Sequence, residues 1–122
     1  MPSASLMTGT LEYLRRPILA NVQAGMKVLV VTDTAHDPRV WQAVMSTLTE
    51  CGADATLALF DPRPADYYDP PAAVCEAMKT VDLNILIAST GMLHSHANSA
   101  AMDAGVPVLC MDGGMTLEMF QS

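Results

Sequence analysis

No stretch of this sequence approaches the roughly 20 consecutive apolar residues that a membrane-spanning helix requires, although 51% of its 122 residues are hydrophobic. Those residues are scattered Ala, Val, Leu and Met, enough for one buried core and too few for a second domain. A membrane protein is therefore not expected. Met1-Pro2-Ser3-Ala4-Ser5 lacks a basic flank leading into an apolar core, so no secretory signal is read and the cytoplasm is the expected compartment. Basic residues are scarce: six Lys and Arg stand against thirteen Asp and Glu, for a net charge of −7. Such a chain repels a phosphate backbone, which excludes nucleic acid as an expected partner. Cysteine is limited to Cys51, Cys75 and Cys110, an odd number without Cys-x-x-Cys spacing. Each lies in an apolar pattern, and buried reduced thiols are expected. Internal repeats, low-complexity tracts and Gly/Ser linkers are missing as well.

What is present alternates between helical and strand patterns. From Thr10, the residues Leu11, Leu14, Ile18, Leu19 and Val22 keep helical spacing up to Gly25, with Pro17 expected to bend or split that helix. Lys27 to Thr32 is a β-branched run typical of a strand covered on both faces. Asp37-Pro38 reads as a helix cap and first turn, after which Val40, Trp41, Val44, Met45 and Leu48 share one face up to Cys51-Gly52. A second strand is expected over Ala55 to Phe60, followed by a proline-rich loop from Asp61 to Pro71. Pro71 opens a helix carried by Val74, Cys75 and Met78 to about Thr80. Asn84 to Ala88 is the third strand, and a helix starts near His94 or Ser95, with Gly105 at its end. Val106 to Met111 is the fourth strand. Met115 to Phe120 begins one more helical pattern.

This order predicts an α/β fold, a three-layer α/β/α sandwich around a four-stranded parallel sheet. Strand order 2-1-3-4, flavodoxin-like, is favoured over a Rossmann order 3-2-1-4. Residues 1–122 form one Rossmann-like domain. Within it, 1–25 is an N-terminal helical segment, 26–114 the sheet and its helices, and 115–122 the start of a helix that the chain does not finish. A fragment of a longer enzyme accounts for that ending; a short native helix folding back on the sheet is the alternative.

Ligands of such sheets bind beyond the carboxyl ends of the strands, where successive crossovers change direction. The candidates there are Thr32, Asp33, His36 and Arg39 after strand one, Ser89, Thr90 and His94 after strand three, and Asp112 after strand four. Asp33 suits a metal or a hydroxyl ligand, but a Thr-Asp-Thr segment leaving a strand more commonly satisfies loop amides. Arg39 opposes the helix dipole, which calls for a carboxylate partner, Asp61 or Asp33, in a structural pair or a substrate clamp. His94 and His96 are two apart and project apart if both are helical, and no third ligand stands at a recognisable spacing, so no metal site is assigned. Tyr67 and Tyr68 suit a lid or the packing of their loop. Ser89-Thr90-Gly91 can offer amides to an anion. The Gly-x-Gly-x-x-Gly, phosphate-loop and Gly-x-Ser-x-Gly signatures do not occur.

The run from Val30 through Thr32, Asp33, His36, Asp37 and Pro38 to Arg39, with the later Met92-Leu93-His94-Ser95, resembles the N-terminal domain of 2,5-dihydroxypyridine 5,6-dioxygenase and of thermophilic metallo-aminopeptidases of the aminopeptidase T type. The resemblance covers roughly Lys27 to the C-terminus. It implies a Rossmann-like domain preceding a larger C-terminal catalytic domain, which would be the missing partner. It also implies Fe(II) or another divalent metal in the full-length enzyme, with no cofactor and no catalytic residue in this chain. Dioxygenase and aminopeptidase both stay open, with the Asp37-Pro38-Arg39 and His94-Ser95 segments closer to the dioxygenase. A homo-oligomer is also left open. The competing reading is a self-sufficient flavodoxin-like binding module. Its phosphoacceptor variant is disfavoured because Asp33 has no acidic neighbour and strand three ends in Ser89.

Overall fold

The computed structural model describes residues 15–62, 69–87 and 96–110, and of helix residues 96–98 the backbone only. Its elements in chain order are helix α1 (residues 15–21), β1 (Lys27–Asp33), α2 (Pro38–Glu50), β2 (Asp54–Phe60), α3 (Ala72–Met78), β3 (Leu83–Ile87), α4 (His96–Asp103) and β4 (Val108–Cys110). All strand pairs are parallel, in the order β2-β1-β3-β4. This is the predicted α/β sheet and its favoured order.

Side-chain alternation sorts the core into two layers. Val28, Val30, Ile85 and Ile87 point to one face, where α1 supplies Ile18, Val22 follows just beyond it, and α2 supplies Val44 and Leu48. Leu29, Val31 and Leu86 point to the other, against Met78 of α3 and Ala101 of α4. The helices change face because the chain changes direction. It steps from β1 outward to β2, then crosses back over β1 to β3, and a constant crossover hand puts α3 opposite α2. The two central strands are buried along both faces, whereas β2 alternates between exposed and half-buried residues. Trp41 and Val40 of α2 and Leu57 of β2 lie against the first layer only partly covered.

Two helices end in the same way. Gly52 and Gly105 have φ of 76° and 86°. Beyond them, Ala53 N–H donates to the Leu48 carbonyl and Val106 N–H to the Ala101 carbonyl, while the glycine amides reach Thr49 and Met102. This left-handed closure satisfies the terminal carbonyls of a helix. It also explains why β4 starts later than Val106: that amide serves the helix, and Pro107 has none to give. Gly25, also left-handed, lies in the turn after α1 rather than at its last residue. Pro17 falls inside the helical stretch, its carbonyl accepting from Asn21 Nδ2 at 2.6 Å; any break ahead of residue 15 lies outside the described residues, as does the pattern after Met115. The α1 helix is tied to α2 by Arg15 and Glu50 at 2.6 Å. Among the described residues, no helix is long and apolar enough to cross a membrane.

The cysteines depart in part from expectation. No disulfide links them, but only Cys110 is buried, while Cys51, the C-cap of α2, and Cys75, midway along α3, are half-buried. Cys75 Sγ donates to the Pro70 carbonyl at 3.3 Å. Burial first, and the nearby Asp69 carboxylate second, push its thiol above the ordinary value.

Candidate functional site

The carboxyl edge of β1 is built from one short stretch. Thr32 is fully buried, and its hydroxyl donates to the Ile87 carbonyl of β3 at 2.6 Å, locking the ends of the two central strands together. Asp33, 1% exposed, turns its carboxylate back on its own loop: Oδ1 accepts from Ala35 N–H at 3.0 Å and from His36 N–H at 3.1 Å. This is the local Asx arrangement by which aspartate satisfies the amides of a tight turn. The ladder runs one residue further through Thr34 N–H to the Phe60 carbonyl, and Thr34 Oγ1 lies 3.4 Å from Asp61 Oδ1.

Asp37 is the N-cap of α2, as its position before Pro38 predicts, and accepts from Arg39 N–H at 2.9 Å. Arg39 does not reach Asp61 or Asp33. Its Nε lies 3.1 Å from both Asp37 oxygens and its Nη2 2.7 Å from Oδ2. The carboxylate fixed by capping is the nearest acceptor the guanidinium can fork onto, and that offsets the unfavourable place of a cation in a first helical turn. The Arg39 side-chain hydrogen bonds, with its amide in support, hold the Asp37 carboxyl down at about 2. Asp37 raises Arg39 in return.

The structure thus brings Thr32, Asp33, His36 and Arg39 to one sheet edge, with Asp37 and Asp61 beside them. Their polar atoms serve the strand end, the turn and the cap. Ser89, Thr90, His94, Asp112, Tyr67 and Tyr68 lie outside the described residues, as does the side chain of His96. Among the described residues, no three His, Cys, Asp or Glu side chains are grouped to hold a metal ion.

An open depression of about 560 Å³ lies at the opposite edge, lined by Asn21, Gln23, Ala24, Gly25, Met26 and Asp82. It does not coincide with the polar cluster. Its carboxylate is engaged, Asp82 Oδ2 accepting from Lys27 N–H at 2.8 Å. The geometry there offers space without chemistry. Asn84 was missed: wholly buried in β3, it donates from Nδ2 to the Met78 carbonyl at 2.8 Å, and its Oδ1 has no partner among the described residues. The available signal was a lone amide inside an apolar strand.

No family model matches the chain, and no curated protein matches it. Among solved structures, 2,5-dihydroxypyridine dioxygenase from Pseudomonas putida KT2440 is similar, with a TM-score of 0.66 over 82% of this chain at 18% identity. At that identity the likeness is one of fold. The chain spans 33% of the length of that structure.

Proposed function

We propose that this chain is the N-terminal, non-catalytic domain of a metal-dependent enzyme similar to 2,5-dihydroxypyridine dioxygenase, forming one wall of a cleft or a surface between domains and inactive alone. The observation that carries this reading is the fold match, which takes in most of this chain but one third of the dioxygenase. The similar solved structure is a dioxygenase, so the proposal keeps that side of the resemblance.

The local chemistry agrees. Fe(II) in such an enzyme supplies a site for O2 and substrate, and catalytic metals usually take three protein ligands. The two carboxylates nearest the end of β1 are already engaged: Asp33 Oδ1 accepts from two amides, and both Asp37 oxygens face Arg39. The reading therefore places the ligands elsewhere in a longer polypeptide, in a cytoplasmic setting suited to the three thiols.

The test uses the purified chain with Fe(II), O2 and 2,5-dihydroxypyridine. No loss of substrate absorbance is expected, and no stoichiometric Fe, Mn or Zn should survive dialysis. Ring opening, or one tightly held metal per chain, overturns the proposal. A large thermal stabilisation by a specific metabolite would instead favour a self-sufficient binding module.

A further inference from the structure

The β2 strand closes one side of the sheet, and its outer edge has a definite phase. Asp54 N–H donates to the Met26 carbonyl, and the Phe60 carbonyl accepts from Thr34 N–H. Residues 54, 56, 58 and 60 therefore turn their backbone groups toward β1. In a parallel ladder the alternate residues turn theirs away, so Ala55, Leu57 and Leu59 present N–H and C=O outward. No described strand takes them up. The segment Asp54–Phe60 contains no proline, lysine or arginine, the devices with which natural edges are blunted. Leu59 is 48% exposed.

We propose that this edge pairs with β2 of a second copy of the chain, antiparallel and two-fold symmetric about Leu57. A two-fold axis normal to the sheet runs identical strands antiparallel. Centring on Leu57 sets that residue against itself and Ala55 against Leu59, so every outward-facing group finds a partner. Three facing pairs exchange two bonds each, about six in all. An axis between two residues would face outward groups against inward ones; centring on Thr56 or Ala58 keeps the phase but leaves two such pairs within Asp54–Phe60, and centring on Ala55 or Leu59 leaves one.

Charge permits this arrangement. Each copy carries −7, so association tolerates no opposed carboxylates. The Leu57-centred register places Asp54 across from Phe60 and Asp61 across from Ala53, and like charges never meet directly. It also covers the exposed Leu59 with Ala55 of the second copy.

Sedimentation velocity across a concentration series, with amide exchange by NMR, tests this on the unaltered chain. The expected result is a dimer in which the amides of Ala55, Leu57 and Leu59 exchange more slowly as concentration rises. Leu59→Lys should weaken association by roughly tenfold or more. Ala55→Pro should do likewise, because it removes an outward donor and no bond to β1. Met102→Lys, a change at an exposed apolar residue of α4, should leave the dimer intact. A monomer up to millimolar protein, a dimer whose three amides stay fast, or equal loss with Met102→Lys overturns the proposal. If a β2 variant fails to fold, the exchange pattern of the unaltered chain decides.

Discussion

The Cβ of Ala24 stands 3.3 Å from the point that a β-carbon on Gly52 would occupy. The α1–β1 turn and the end of α2 thus approach closely enough that a β-carbon on Gly52 would press on Ala24, and Gly25 N–H donates to the Gly52 carbonyl at 2.9 Å beside it. Gly105 has the same backbone conformation with nothing within 4 Å.

Comparing these two glycines separates backbone strain from contact. Gly105→Ala should cost about 1 to 2 kcal/mol through its left-handed backbone alone. Gly52→Ala should cost about 2 to 3 kcal/mol, since the turn around Ala24 must also shift. Urea denaturation of both variants measures the difference. Equal losses would show that the turn gives way freely.

The pH dependence of the α2 cap follows from the Asp37 carboxyl, lowered from 3.8 to about 2. A carboxyl whose folded value lies below its unfolded value binds protons more tightly when unfolded. Its stabilising contribution is therefore complete above about pH 4 and declines as pH falls toward 2. Arg39→Ala should move the Asp37 midpoint back upward in an NMR titration. An unchanged midpoint would mean that capping, not the guanidinium, sets it.

Asn84 offers a buried test. In Asn84→Asp the donor to the Met78 carbonyl is lost, and a charge is placed where the residue is wholly buried. A loss of about 3 kcal/mol or more at neutral pH is expected. Burial raises the carboxyl, so the deficit should be small below about pH 4, where the proton restores a donor, and should grow as pH rises. Thermal melts across that range read the slope, and a pH-independent loss would contradict the orientation of the amide.

The sheet was legible in the sequence because its central strands are covered on both faces and so are written as unbroken apolar runs, Lys27 to Thr32 and Asn84 to Ala88. The cap at Asp37-Pro38 was legible because proline and aspartate each have few places at a helix start. Boundaries were less so: Val106 belongs by composition to a strand, but its amide is taken by the closing turn of α4. The partner of Arg39 was misread because spacing along the chain did not reveal that one carboxylate can cap a helix and receive a guanidinium together. Asn84 escaped notice because an amide in an apolar run looks like an imperfection until the carbonyl beneath it is seen.

The bond between the Thr32 hydroxyl and the Ile87 carbonyl joins residues 55 apart in the chain, whereas β1 meets β2 between residues as near as Lys27 and Asp54. Closing the longer loop first is entropically the harder route. Assembly should therefore begin as a two-strand unit clasping α2, into which β3 later slots on the open flank of β1. During synthesis, the half of the molecule that leaves the ribosome first can reach native-like order while the second half is still being made.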